Sequence, residues 1–116
     1  MNYDTEILKS ELSNMQENEK MVYISGQITG IELEHAKRNF HEAFCALEQE
    51  GLVPINPMEL VPYSPELTWA DYMVKDIEAL LKCDAIYMLN NWGKSKGARV
   101  ERAIAMELGL EIIYQK

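Results

Sequence analysis

The chain has 116 residues, room for one compact domain and too little for two. Its 47% apolar and 26% charged residues are those of a globular, water-soluble domain. A net charge of −8 without a basic run argues against polymeric nucleic acid, whose affinity comes from clustered lysine and arginine, but leaves a single nucleoside or nucleotide open.

No apolar run approaches the ~20 residues of a spanning helix, so no membrane partner is expected and the cytoplasm is the default compartment. Cys45 and Cys83 fall in helical patterns without metal-ligand spacing and read as buried, reduced thiols. His35 and His41 do not share a helix face. Neither a metal nor a cofactor is expected.

Residues 1–20 are polar, with five acids against two lysines. Leu8, Leu12 and Met15 have helical spacing, so this N-terminal extension is expected to form at most a short helix, frayed or used in a homo-oligomer contact. The domain proper is expected over 21–116. Met21 to Gly26 reads as a strand, and Gln27 to Gly30 as a loop. Leu33, Ala36, Phe40, Ala43 and Leu47 then trace an amphipathic helix that stops at Gly51. Leu52 to Ile55 is a second strand. Three prolines between Pro57 and Pro65 predict a rigid exposed loop.

Thr68 has the character of an N-cap. Trp69, Met73, Ile77 and Leu80 form the core stripe of the next helix, to about Lys82. Ala85 to Leu89 is a nearly continuous apolar strand, as in a parallel sheet covered on both faces. A helix from about Gly97 to Leu108, ended by Gly109, and a last strand from Glu111 to Tyr114 complete the order β-α-β-α-β-α-β. That order predicts an α/β fold: a three-layer α/β/α sandwich on a parallel sheet of four or five strands, flavodoxin-like or Rossmann-like. Ligands of such sheets sit beyond the C-terminal strand ends. Three loops form that rim: Ser25 to Gly30, Asn56 to Leu67, and Asn90 to Lys96.

The run Ser95-Lys96-Gly97-Ala98-Arg99-Val100-Glu101 combines a hydroxyl, a glycine and a carboxylate at a strand-to-helix turn. A carboxylate in the first helical turn is expected to stay ionised, the state a nucleophile requires. Glu101 shares a helix face with the small residues Gly97, Ala98 and Ala105. It is read either as a nucleophile facing the rim or as an acid that merely complements the helix dipole. Lys94, Lys96 and Arg99 crowd a helix N-terminus, where cations are disfavoured; either an anion such as a 5′-phosphate near Ser95 repairs the conflict, or they form a solvated basic patch balancing nearby acids. Asp76, beside the core stripe, is a candidate general acid if partly buried, or a surface acid pairing with a neighbouring lysine. Trp92, with Asn90 and Asn91, is a stacking platform for a nucleobase or a side chain tucked back on the domain. Tyr23 is core or a hydroxyl aimed at the site.

Val22-Tyr23-Ile24-Ser25-Gly26-Gln27-Ile28-Thr29-Gly30, Asp76 in its helix, and Ser95-x-Gly97-x-x-x-Glu101 together resemble the nucleoside 2-deoxyribosyltransferase superfamily, which includes 2′-deoxynucleoside 5′-phosphate N-hydrolases. Asn56-Pro57, Trp69-Ala70-Asp71-Tyr72-Met73, Cys83-Asp84-Ala85 and Trp92-x-x-Ser95-x-Gly97-Ala98 are most similar to a small phage and bacterial family of unassigned function within it. The resemblance spans Met21 to Tyr114. It implies that Glu101 attacks C1′ of the sugar and forms a covalent glycosyl-enzyme, that Asp76 is acid/base toward the leaving base, and that Tyr23 orients the nucleophile. Ser95 matches a phosphate-binding serine of the hydrolases. Gln27 and Thr29 stand where those hydrolases carry a serine and an arginine for phosphate.

With the rim loops, the resemblance implies substrate contacts from Ser25, Gly26, Gln27, Ile28, Asn90, Trp92, Ser95, Gly97 and Arg99. The expected function is cleavage or exchange of the N-glycosidic bond of a (deoxy)nucleoside or its 5′-monophosphate. The alternatives are a non-catalytic nucleotide-sensing module on the same fold, and a structural protein acting through the 1–20 extension.

Overall fold

The computed structural model describes residues 19–116. The predicted helix around Leu8, Leu12 and Met15 lies outside them. Four strands, β1 (Met21–Ser25), β2 (Val53–Ile55), β3 (Ala85–Met88) and β4 (Glu111–Tyr114), pair in parallel in the order β2-β1-β3-β4. The helices are α1 (Leu33–Gln49), α2 (Pro57–Leu60), α3 (Trp69–Leu80) and α4 (Lys96–Glu107), with a 3₁₀ turn at Trp92–Lys94. The result is the three-layer sandwich, on four strands among the described residues. Chain order reverses about β1: β2 lies to one side, β3 and β4 to the other. This is where open α/β sheets leave a crevice.

Strand alternation divides the core in two. Val22 and Ile24 face α1, packing with Phe40, Ala43 and Leu47. Tyr23 points the other way, into a cluster with Leu80, Ile86, Met88, Ala98 and Ala105 from α3, β3 and α4. Ser25 has the parity of Tyr23, so its side chain also lies on the α3/α4 side. The buried set of α1 is Ala36, Phe40, Ala43 and Leu47, as its spacing predicts; Leu33 remains exposed at the helix start.

Glycine ends two helices by one mechanism. Gly51 (φ 82°) and Gly109 (φ 74°) adopt the left-handed conformation just beyond α1 and α4. The next amides then turn back, Leu52 N to Leu47 O and Leu110 N to Ala105 O, closing Schellman caps that return the chain to β2 and β4.

The stretch from Pro57 to Pro65 is not all loop. Asn56 accepts a hydrogen bond from Met58 N at 3.0 Å and caps the single turn α2, with Pro57 at its first position. Proline is preorganised there because the missing N–H has no helical partner anyway. The segment beyond is tied down by Tyr72, whose hydroxyl accepts from Ser64 N at 2.7 Å and donates to Ser64 O at 3.0 Å. The Thr68 N-cap is a full capping box with Asp71. Cys83 lies beyond α3 rather than within it, its thiol donating to Ala79 O at 3.3 Å and pushed up to about 11 by burial. Cys45 is half-buried on α1.

Gly26 leaves β1 where Leu89 leaves β3, and the two touch. A Cβ at Gly26 would lie 2.4 Å from Leu89 Cδ1 and 2.8 Å from its Cβ. Overpacking a dense core costs typically ~1–3 kcal/mol. Gly26→Ala should lower the unfolding free energy measured in urea by that amount, and its cost should be smaller in a Leu89→Ala background, where the Cδ1 contact is gone. Equal midpoints for Gly26→Ala and the wild type would show that this contact is slack.

Candidate active site

Helix α4 begins where Ser95 Oγ accepts a hydrogen bond from Ala98 N at 3.1 Å. From that start Ala98, Glu101 and Ala105 fall on one face, the buried one, pressed against the sheet. Small alanines let the helix lie close to β1, and the longer glutamate reaches the end of that strand. Tyr23 and Ser25 meet it there. The tyrosine hydroxyl donates to Glu101 Oε2 at 2.7 Å and the serine hydroxyl donates to Oε1 at 2.7 Å. Both carboxylate oxygens are therefore engaged by side chains two residues apart on one strand.

Glu101 is the sixth residue of α4 and sits in its second turn, not the first. Nor is it held ionised by a favourable helix end. It is 5% exposed, and burial pushes its carboxyl up to about 7 despite the two hydroxyl donors, which pull the other way. The negative charge of Asp76 adds to the rise. Removal from water outweighs the hydrogen bonds here because an ion loses its whole hydration shell and regains only two donors. Tyr23 is core and site at once, its own hydroxyl pushed well above the usual range by burial and by Glu101.

Asp76 is half-buried on α3, with no surface lysine pairing it among the described residues. Burial raises its carboxyl to about 6. Asp76 and Glu101 line the same cavity of about 1070 Å³, roomy for a small-molecule site. The two acids therefore hold a proton between them through the slightly acidic range. Glu101, at about 7, holds that proton more tightly than Asp76, at about 6; the hydroxyl donors on Glu101 narrow the gap without closing it.

The cavity gathers most of the sequence-predicted residues. Tyr23, Ser25, Gly26 and Ile28 line it from β1 and the loop beyond, Asp76 from α3, and Ser95, Gly97, Arg99 and Glu101 from the start of α4. Three others do not line it. Gln27 turns back on its own loop, donating to Thr29 O at 3.1 Å, while its backbone N–H bonds Asn91 Oδ1. Asn90 is exposed and its N–H bonds Gln115. Trp92 packs on Tyr114 at 6.2 Å between ring centres, with Arg102 4.8 Å above the indole. A hydrophobic neighbour and a cation on β4 and α4 draw that indole onto the domain.

The cavity's aromatic walls come from elsewhere: Phe40, Tyr63, Trp69 and Tyr72. Trp69, expected in the core stripe, is 46% exposed and looks into the cavity. Its spacing fits the stripe, but it stands at the first position of α3, while the buried residues of that helix are Met73 and Leu80. Tyr63 lies in the segment that sequence marked only as rigid loop. Among the described residues no cluster of His, Cys, Asp or Glu could hold a metal ion, and no helix is long and apolar enough to cross a membrane.

Residues 20–114 match the family described as "Domain of unknown function (DUF4406)". The chain belongs to that family. No curated protein sequence matches it. Among solved structures, its fold is similar to a 2-deoxyribosyltransferase from Bacillus psychrosaccharolyticus, at 17% identity and a TM-score of 0.63 over 81% of this chain and 70% of that one. A 2-desoxiribosyltransferase from Leishmania mexicana aligns at 20% identity and a TM-score of 0.59, over 82% of this chain and 63% of its own. A conserved protein from Enterococcus faecalis V583 aligns at 15% and 0.63, over 83% and 62%. The chain thus spans a little over three fifths of the length of the Enterococcus and Leishmania proteins. This DUF4406 chain shares their fold.

The raised Glu101 carboxyl makes stability depend on pH. Its folded value, about 7, lies above the ordinary 4.5, so the folded state binds this proton more tightly than the unfolded one. That contribution is complete below about pH 4.5 and is lost as pH rises through about 7. Glu101→Gln, which cannot ionise, should therefore be more stable than the wild type at pH 8, by on the order of 2–3 kcal/mol, with little difference at pH 4.5. Paired urea denaturations at the two pH values would check it; a gain of equal size at both would refute burial of the charge as the cause.

Proposed function

We propose that this DUF4406 protein cleaves or exchanges the N-glycosidic bond of a nucleoside or its 5′-monophosphate, with Glu101 as nucleophile. One observation carries the reading: a nearly dry carboxylate, fixed by Tyr23 and Ser25, shares its cavity with a second raised acid, Asp76. Near neutral pH the pair shares one proton, and the singly protonated form that carries it on Asp76 has a charged nucleophile beside a protonated acid. The shared fold with two 2-deoxyribosyltransferases agrees with this chemistry.

In the first step an oxygen of the Glu101 carboxylate bonds to C1′ of the sugar. The C1′–N bond breaks, its electron pair leaves with the base, and Asp76 delivers its proton to the departing base. The charge building on the sugar is oxocarbenium-like, as in retaining glycosidases. Tyr23 and Ser25 hold both oxygens of the nucleophile at 2.7 Å, so little reorganisation precedes attack. In the second step water, or the nitrogen of a second base, attacks C1′. Asp76, now a carboxylate, takes the proton released, and Glu101 leaves as a carboxylate. Water produces hydrolysis and a second base produces transfer; exclusion of water from the intermediate decides between them.

A non-catalytic nucleotide-binding module on the same fold is the second reading. The exposed aromatic walls at Tyr63 and Trp69 suit binding as well as they suit turnover.

Incubation with a panel of nucleosides and 5′-monophosphates, with free base followed by chromatography, distinguishes the two. Base release should be abolished in Glu101→Ala and fall about 10²–10⁴-fold in Asp76→Asn, the range typical of a lost general acid. Ligand binding without release of any base would overturn catalysis in favour of the second reading. The active form carries one proton on the pair, so kcat/KM should be bell-shaped with its maximum between about pH 6 and 7. Below that window both acids are protonated, and above it both are ionised. Asp76→Asn should abolish the falling limb and leave a single rise as Glu101 ionises, because the second titrating group is gone.

A further inference from the structure

Charge at the cavity is opposite to charge on the chain as a whole. Among the described residues, four cations line it, Lys37, Lys94, Lys96 and Arg99, against two acids, Asp76 and Glu101, in a protein of net charge −8. The cations come from three places, helix α1, the 3₁₀ turn and the start of α4. Lys37 is paired with Glu34 at 3.4 Å, and Arg99 donates to Gly93 O at 2.8 Å. No carboxylate among the described residues lies within ion-pair distance of Lys94, Lys96 or Arg99. Like charges gathered at a concave surface repel one another, and such a cluster focuses field on an anion of small size.

Lys96 has a particular position in the group. Its ammonium lies 4.6 Å from the centre of the Trp69 indole. Helix α4 starts close to α3 here: a Cβ on the neighbouring Gly97 would come within 3.2 Å of Met73 Sδ. A cation on an exposed indole is held weakly, far less than a charge-assisted hydrogen bond to a dianion can return. The same ammonium can therefore leave the ring for an anion arriving in the cavity, which uncovers an aromatic face for a flat group.

We infer that the substrate is a nucleoside 5′-phosphate rather than a free nucleoside, and that Lys96 selects it by moving from the Trp69 indole to the phosphate. The inference rests on the glycosidic reading above for the nature of the nucleoside, and on the cation cluster for the phosphate. Its geometry separates two tasks: Glu101 and Asp76 meet the sugar and base at the inner end, and Lys96 with Lys94 and Arg99 meets the anion at the mouth. A mononucleotide fits this arrangement, whereas the acidic remainder of the surface repels a nucleic-acid polymer.

Trp69 reports on the step. The chain has two tryptophans, and Trp92 lies outside the cavity, so Trp92→Phe leaves Trp69 as the sole tryptophan, read by excitation at the red edge where tyrosine does not absorb. In that background, with Glu101→Gln added against turnover, the four common 2′-deoxynucleosides and their 5′-monophosphates are titrated. At least one monophosphate should change Trp69 emission saturably, at a Kd at least tenfold below that of its parent nucleoside. Inorganic phosphate should compete, and added salt should shrink the preference. Lys96→Met should abolish the preference while nucleoside binding and the melting temperature persist, and Lys96→Arg should retain it. Equal affinity for nucleotide and nucleoside, a loss in Lys96→Met that is equal for both, or no saturable nucleotide binding would each overturn the inference. Base release by the wild-type chain separates it from the reading it rests on. Preferred nucleotide binding without base release overturns the glycosidic reading alone. Base release from nucleosides as fast as from nucleotides, unaffected by Lys96→Met, overturns the phosphate inference alone.

Discussion

Glu101 accepts one hydrogen bond on each carboxylate oxygen, from Tyr23 and Ser25, while almost withdrawn from water. That arrangement requires α4 and β1 to lie at one fixed separation. The sheet supplies it. Tyr23 and Ser25 occupy consecutive positions on the same face of β1, registered against Ile86 and Met88 of β3. Ala98 and Ala105 press α4 down onto that face. A larger residue at either alanine would lift the helix and leave the carboxylate facing water with one donor or none. The catalytic proposal and the packing of this half of the core are thus one constraint.

The constraint has an energetic cost that the rest of the fold offsets. A buried carboxylate that ionises near neutral pH destabilises the folded state over the range where it is charged. The opposite layer carries no such conflict: Val22, Ile24, Phe40, Ala43 and Leu47 make an apolar cluster beneath α1. One face of the sheet is built for stability and the other accommodates a charge. A single strand, β1, serves both, because alternate side chains point to opposite layers.

The cavity adds a second electrostatic layer. Its inner end carries two acids sharing a proton, and its mouth carries cations from α1, the 3₁₀ turn and α4. The separation keeps the cations from neutralising the acids outright: no ion pair joins them among the described residues. Aromatic side chains of α3 and the segment before it line the same cavity.

Much of this was legible in the chain itself, for reasons that are local. Hydrophobic period marked α1 and the strands, and Gly51 and Gly109 marked helix ends because the left-handed turn there disfavours a Cβ. The alternation of β and α elements implied a parallel sheet and put the ligand rim at the loops that do line the cavity. Other features depend on distance rather than on sequence neighbours. Whether Glu101 stays charged turns on its burial beneath β1, which overrides any benefit from a helix end. Trp69 and Trp92 exchange places relative to their patterns: the one spaced as core looks into the cavity, and the one in a polar loop packs on Tyr114 and Arg102. Sequence by itself determined the order of elements, the faces of α1 and β1, and the residue types available for chemistry. Only the tertiary structure decided which of them share one low-dielectric space, because desolvation and charge coupling act through space between side chains as far apart in the chain as Tyr23 and Glu101.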